Sequence, residues 1–349
     1  PVLIKGEIKY QLSQSDGRVM TTKNYSPNEF LALNLFDAGY SNILLEEKTG
    51  SISIRVTKKG EALINRTQEN FSADLTHDRI KNRLLESGDP FLVEVGISDK
   101  NGKIKNGKND KYLQVEEFLR ILVPTLTSAI EAGHIRAPTT GSPLKIIDLG
   151  CGHAYLTFAA HQYLSSQGIP VSVVGIDIRE SARERNNQIA KKLGIANTIN
   201  FLAQEISQTS IKFADVAIAL HACDTATDDA IAWALNCGAK LVLVAPCCHH
   251  DIQAQMVDIP EPWQILSRNG IMKERLGDLI TDALRMQIMK LHGYRAEAIE
   301  FIGGEHTPRN LMIRAVKTGA IATEEDKSRY EAMIALWNVK PALAVLLNR

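Results

Sequence analysis

From Leu144 onward, short runs that are almost wholly apolar alternate with longer segments whose apolar residues recur at helical spacing. Apolar runs of this kind read as strands buried on both faces, the mark of a parallel sheet covered by helices. Lys145–Leu149 is the first such strand and Val171–Asp177 the second, with a helical stretch between them. A charged helix over about Ser181–Leu193, closed by Gly194, precedes three further strands at Thr198–Leu202, Ala214–Leu220 and Leu241–Ala245. The helix between the last two spans about Thr227–Asn236 and ends at Cys237-Gly238, where glycine supplies the usual C-terminal stop. A long amphipathic helix over about Leu276–Leu291 leads to two late strands, Arg295–Ile302 and Asn310–Val316. Their short connection, Gly303–Arg309, implies an antiparallel pair. The pattern predicts a doubly wound α/β sheet of seven strands closed by an antiparallel hairpin.

Residues before about 118 have a different texture. Val2–Leu12 and Ser51–Val56 read as strands, Pro27–Ala38 and Asp78–Glu86 as helices, and Ser98–Lys111 as a polar, turn-rich loop. The expected organisation is a small N-terminal α/β domain over 1–118, with a linking helix (Val115–Ala132) and a loose loop (Gly133–Ser142) across 119–143. The main domain follows over 144–318 and a helical extension over 319–349. In that extension the helical pattern of Glu324–Leu347 breaks at Pro341, and Trp337, Leu343, Val345 and Leu346 are expected to pack onto the body.

The 349 residues carry 40 Lys+Arg and 40 Asp+Glu, so no global field marks the chain as a nucleic-acid or membrane binder. No run approaches the roughly 18 apolar residues of a membrane span, and the first residues show no signal-peptide core. Cys151, Cys223, Cys237, Cys247 and Cys248 all fall in the second part of the protein. An odd, clustered set points to reduced thiols and a cytoplasmic location.

The turn after the first strand, Gly150-Cys151-Gly152, departs from the dinucleotide pattern G-x-G-x-x-G. Tyr155 occupies the place of the third glycine, and Asp148 precedes the first by two residues. A carboxylate beside a pyrophosphate is repelled, whereas beside the ammonium group of a methionine moiety it, or water it orders, is favourable. The pattern D-x-G-x-G followed by Asp177 at the tip of the second strand resembles class I S-adenosylmethionine-dependent methyltransferases. That resemblance implies S-adenosylmethionine as cofactor, with the glycine loop at the methionyl part and Asp177 on the ribose hydroxyls. It places Asp148, Gly150, Gly152, Tyr155, Ile178 and His221 in the cofactor set. Glu205, ahead of Gln204, is expected at the adenine amine.

Ligands of open α/β sheets sit beyond the carboxyl ends of the strands. There the fourth strand ends in His221-Ala222-Cys223-Asp224-Thr225-Ala226-Thr227-Asp228 and the fifth in Pro246-Cys247-Cys248-His249-His250. Three readings stand. Thiols and imidazoles are zinc ligands, although no C-x-x-C spacing is present and adjacent cysteines are expected to diverge, so no metal is assigned. Cys247 or Cys248 could serve as a nucleophile toward a pyrimidine ring. The third comes from resemblance: H-x-C-x-x-A-T-D with P-C-C-H-H is similar to the methyltransferase family that includes the eukaryotic tRNA 2′-O-ribose methyltransferase of the acceptor stem. His221, Cys223, Ala226, Thr227 and Asp228 match its pattern, while Ala222 and Asp224 depart from it, the latter replacing a glycine. Glu305–Asn310 resembles the turn before that family's last strand, and the likeness spans about residues 77–317. The zinc-binding modules of the eukaryotic enzyme have no counterpart in residues 1–118, which resemble bacterial relatives.

A ribose hydroxyl is a poor nucleophile at neutral pH, and His221, Asp224, His249 and His250 are the candidate bases. Alternatively, His221 and Asp228 cap the following helix and brace the loops. The residues around His77–Arg83, together with Lys100, Lys103, Lys105, Lys108 and Lys111, form basic patches that suit phosphates or are merely solvated. Tyr112 and Phe118 either stack bases or belong to the core. The expectation is an S-adenosylmethionine-dependent methyltransferase acting on RNA, tRNA foremost, with no DNA or membrane partner. Methylation of a small molecule or protein, and a cofactor-binding interaction module without turnover, are the alternatives.

Overall fold

The computed structural model describes residues 2–4, 7–15, 20–35, 38–47, 50–57, 61–67, 83–220, 222–301 and 310–348. The chain divides into two units between Asn82 and Arg83. In the first, β1 (Val2–Ile4), β2 (Glu7–Ser15) and β3 (Met20–Tyr25) form one antiparallel sheet. After α1 (Pro27–Leu31), β4 (Asn42–Glu47), β5 (Gly50–Val56) and β6 (Ala62–Thr67) form another. A capping box starts α1: Ser26 accepts from the Glu29 N–H, and the Glu29 carboxylate accepts from the Ser26 N–H. The helix buries no residue and stops at Leu31 rather than Ala38; Phe30 stacks on Tyr10 of β2, but one short turn with so little burial does not propagate. This unit is thus mostly β. Of the expected helix Asp78–Glu86, residues 78–82 lie outside the described residues, and 83–86 are not helical.

In the second unit α2 (Pro90–Glu94) and α3 (Asn109–Glu131) lead into β7 (Leu144–Leu149), α4 (Tyr155–Ser166), β8 (Val171–Asp177), α5 (Glu180–Lys192) and β9 (Ile199–Ala203). Then come β10 (Val216–Ala219), α6 (Thr225–Asn236), β11 (Leu241–Val244), α7 (His250–Gln255), α8 (Gln264–Ser267) and α9 (Gly270–Leu291). The unit closes with β12 (Tyr294–Glu300), β13 (Leu311–Lys317), α10 (Glu324–Trp337) and α11 (Ala342–Leu347). One seven-stranded sheet runs β12-β13-β11-β10-β7-β8-β9. The pairs β7–β8, β8–β9, β7–β10 and β10–β11 are parallel, whereas β13 is antiparallel to both β11 and β12. The expected turn over Gly303–Arg309 falls outside the described residues.

Both faces of the sheet are buried, which is why its strands read as unbroken apolar runs. Ile146, Val173, Val216 and Ile218 meet Phe158 and Leu164 on one side. Ile147, Ile176, Ala217 and Val242 meet Ile231, Leu235 and Ile288 on the other. The first core also takes in Phe91, Leu92, Ile97, Tyr112, Val115 and Phe118. Residues 83–118 therefore belong to the sheet unit and not to an N-terminal domain, and α3 packs on α4 instead of serving as a linker. The polar loop at 98–108 mimics a domain boundary because it separates two apolar segments that meet in space. Tyr112 and Phe118 are core residues, so base stacking is closed to them. Trp337 and Leu343 are buried as expected, but Val345 is 46% exposed, on the outer side of α11.

Gly175 in β8 is a packing requirement. A Cβ there would lie 2.4 Å from the ring of Phe201, which itself packs on Phe158 with centroids 5.2 Å apart. Gly175→Ala is expected to cost about 1–3 kcal/mol through overpacking. In urea titration it lowers the midpoint at unchanged slope.

Candidate cofactor and acceptor site

Strand order reverses between β7 and β10, so the crevice at their carboxyl ends is the topological switch point of the sheet. The turn after β7 is built from the backbone. Gly150 and Gly152 have φ of +78° and +55°, a region glycine enters without penalty. The Gly150 and Cys151 N–H groups donate to the Ile176 carbonyl at 2.8 and 2.9 Å. The Gly152 carbonyl accepts from Asn186 Nδ2 at 2.9 Å, and its N–H donates to Asp177 Oδ2 at 2.9 Å. Asn186 is a buried amide in an otherwise charged helix. The turn is thus fixed before any ligand arrives.

Asp177 also accepts from the Arg179 N–H at 3.0 Å and from its guanidinium at 2.8 and 3.0 Å. Burial works against its charge, but these donors outweigh burial and hold the carboxyl below its ordinary range. Arg179 Nη2 stands over the glycine turn, 3.4 Å from a Cβ built on Gly152, while most of its side chain is exposed. Ile178, an exposed apolar side chain beside Asp177, offers a hydrophobic surface. The Gln204 N–H donates to the Asp177 carbonyl at 3.0 Å, and its amide donates to Thr209 at 2.7 Å. Glu205 is exposed and accepts from Gln208 at 3.0 Å. Tyr155 begins α4, is nearly buried, and donates its hydroxyl to Gln114. Lys111 lies 5.3 Å from the centre of its ring.

Asp148 is buried and accepts a hydrogen bond from Thr157. Burial pushes its carboxyl up to about 7 against that bond, and the neighbouring Asp177 charge adds to the rise. The folded-state value therefore lies above the unfolded one of about 3.9. Its stabilising contribution is complete below about pH 4 and is lost as pH rises through about 7, with roughly 1.4 kcal/mol for each tenfold gain in proton affinity on folding. Asp148→Asn should flatten this part of the stability–pH profile. Urea midpoints of both proteins measured across that window check it; parallel profiles would contradict it.

The loops after β10 and β11 are locked together by a buried charge network. Arg285 of α9 donates Nε to Asp228 Oδ1 at 2.9 Å and Nη2 to Asp228 Oδ2 at 2.7 Å. It further reaches Asp282 Oδ1 at 3.2 Å and the Asp224 carbonyl at 3.0 Å. His249 Nε2 lies 3.0 Å from the same Asp282 oxygen, and its Nδ1 is 3.2 Å from Asp278 Oδ1 but poorly aligned for a hydrogen bond. His249 is only 4% exposed and serves as a strut, which removes it from the candidate bases. Asp228 is likewise a brace. Asp224 sits at φ 53°, ψ −124°, a type II′ turn geometry that glycine dominates. A non-glycine residue is strained in this conformation, and the Asp224 Oδ1 accepts from the Asp251 N–H at 3.2 Å. His250 is exposed at the start of α7. His221 lies outside the described residues.

Cys223, Cys247 and Cys248 form no disulfide, and their sulfurs all lie within 4.8 Å of one another. Cys223 Sγ is 3.0 Å from Cys247 Sγ, which is 3.8 Å from Cys248 Sγ. The adjacent cysteines thus converge, contrary to the expected divergence. Burial, followed by the neighbouring Cys223, pushes the Cys247 thiol up to about 12. Thr157, Arg179, Asn186, Asp282 and Arg285 carry no signal in the sequence. Each is a common polar residue within a helix or beside a strand end, with no local motif to mark it.

A seven-stranded, mostly parallel sheet of this order, with a glycine turn tied to an acid at the next strand tip, has the strand arrangement expected of the class I methyltransferase fold. Residues 110–255 match the family model described as a methyltransferase domain. The chain is 30% identical over 250 residues to a glutathione S-transferase C-terminal domain-containing protein of Bos taurus, covering 64% of this chain and 36% of that protein. It therefore spans about a third of the length of this curated relative. Among solved structures it is similar to magnesium protoporphyrin IX methyltransferase from Synechocystis PCC 6803 (16% identity, TM-score 0.39, covering 66% of this chain and 93% of that one). It is also similar to a putative RNA methyltransferase from Pyrococcus horikoshii (13% identity, TM-score 0.33, 58% and 82%). Among the described residues no helix is long and apolar enough to cross a membrane.

Proposed function

We propose that this chain transfers the methyl group of S-adenosylmethionine to RNA, with tRNA as the substrate and a ribose 2′-hydroxyl as the acceptor. The observation that carries the RNA reading is the position of the lysine-bearing loop. Lys111 rests over Tyr155, the first residue of the helix that leaves the glycine turn, and the exposed Lys100, Lys103 and Lys105 precede it. Phosphates bound there would run past the methyl donor. The strand-tip motifs H-x-C-x-x-A-T-D and P-C-C-H-H support the ribose oxygen by their resemblance to the tRNA 2′-O-methyltransferase family.

The sulfonium already activates the methyl group, so the protein's task is alignment of the acceptor and removal of one proton. An oxygen lone pair forms the new O–CH3 bond as the S–CH3 bond breaks, and S-adenosylhomocysteine leaves. His250 and His221 are the bases this reading retains, with Asp224 between the two loops.

Incubation with methyl-labelled cofactor and total cellular RNA tests the proposal. The expected result is label in ribonuclease-sensitive material that survives alkaline hydrolysis as dinucleotides, because a 2′-O-methyl group blocks cleavage at the adjacent phosphate. Label in a base would refute the ribose assignment. Zero net charge favours a second reading, a small-molecule or protein acceptor, for which label would appear outside ribonuclease-sensitive material. Cofactor binding without any transfer would instead mark an interaction module.

A further inference from the structure

We propose that Cys223, Cys247 and Cys248 form a three-thiolate site for one thiophilic d10 cation, Zn2+ or Cu+, held between the loops that follow β10 and β11. For zinc–sulfur bonds of about 2.3 Å, sulfurs on a tetrahedral ion stand about 3.8 Å apart. The separations of 3.0 and 3.8 Å, with the third no more than 4.8 Å, need shifts of about 1 Å at most to reach that value. The ligands come from the tips of two neighbouring strands in register, Ala219 opposite Val244. The loops carrying them are held independently of any ion. Thr227 Oγ1 donates to the Ala222 carbonyl at 2.6 Å, the Ala245 N–H donates to the Ala219 carbonyl at 3.1 Å, and Asp224 receives the Asp251 N–H. Three thiols brought together by anchored loops make a site that binding need not assemble.

The cluster adjoins the methyl-donor turn: a Cβ built on Gly150 would touch Ala222, the residue before Cys223, at 3.5 Å. Among the described residues no fourth histidine, cysteine or carboxylate joins the group. Metal binding here is separate from the RNA reading and holds for any methyl acceptor.

The test uses the full chain, reduced without oxygen and stripped by a chelator. Titration with Co2+ as a spectroscopic stand-in should give a thiolate-to-metal charge-transfer band that saturates at one equivalent. Zn2+ or Cu+ should abolish it, and which ion competes better identifies the native one. Cys223→Ser, Cys247→Ser and Cys248→Ser should each weaken binding about 100-fold or more, beyond what a lost outer contact costs. Cys237→Ser, whose Sγ bonds the Ala234 carbonyl of its own helix, should leave it unchanged. Thermal unfolding without metal, alike in all variants, would separate lost ligation from lost folding. Absence of the band, equal affinity in Cys247→Ser, or a Cys223–Cys247 disulfide formed in air while the reduced protein takes up no metal would each overturn the proposal. Because the readout is metal and not methyl transfer, its failure leaves the methyltransferase reading standing.

Discussion

Arg285→Met is expected to lower the unfolding free energy by about 3–5 kcal/mol, the cost of leaving a buried charge without its partner. Arg285 is the most buried cation of this network, at 2% exposure, and it neutralises Asp228 and Asp282 together. Methionine fills much of the same volume but takes the Arg285 donors away from Asp228 and the Asp224 carbonyl, and leaves Asp282 to His249. The unfolding midpoint in urea should fall strongly at unchanged slope. A change below about 1 kcal/mol would show that the network is not formed in solution. Adding Asp228→Leu to the same chain should recover part of the loss, because an apolar pair has no charge to strand. Since the network joins Asp224 and Asp228 after β10 to His249 after β11, both variants should also loosen those loops in hydrogen exchange.

Asp177→Ala is expected to weaken S-adenosylmethionine binding by about 100-fold to 10,000-fold. Two charge-assisted hydrogen bonds from ribose hydroxyls to a carboxylate are each worth about 1.5–3 kcal/mol, and each 1.4 kcal/mol is tenfold in affinity. The same carboxylate fixes the Gly152 N–H, so its loss also releases the glycine turn. Asp177→Asn keeps an acceptor for that N–H but not the charge, and its affinity should fall between the two. Arg179→Ala should act in the opposite direction. It removes the guanidinium that occupies Asp177 at 2.8 and 3.0 Å, and so frees the acceptor atoms for the cofactor. Calorimetric titration of the three variants checks the order; equal affinities throughout would remove Asp177 from the cofactor site.

The sheet unit is legible in the sequence because its strands are buried on both faces. Val171–Asp177 has the same bounds in the pattern and in the fold, and the other strands agree to within one or two residues at each end. Its glycine turn is legible for the same reason, since few residue types survive where φ is positive and a helix must start at once. The N-terminal strands β3, β4 and β6 leave no such trace. Met20–Tyr25 is dominated by threonine, lysine and asparagine, and such solvated strands have no apolar period. The domain boundary is misleading in the pattern because Phe91, Leu92 and Ile97 are separated from Val115 and Phe118 by a polar loop, though they share one core. At the strand tips the motif marks candidate residues but not their structural surroundings. Whether an aspartate or histidine acts as base or strut depends on Asp282 and Arg285, more than 30 residues distant from His249 along the chain.

The crevice at Gly150–Gly152 and Asp177 is expected to hold S-adenosylmethionine and not a dinucleotide. Calorimetric titration of the full chain with S-adenosylhomocysteine, and separately with NAD+, tests it directly. The predicted result is saturable binding of S-adenosylhomocysteine with one site per chain, weakened by Asp177→Ala, and no heat of binding with NAD+. Binding of NAD+, or S-adenosylhomocysteine binding indifferent to Asp177, would contradict it.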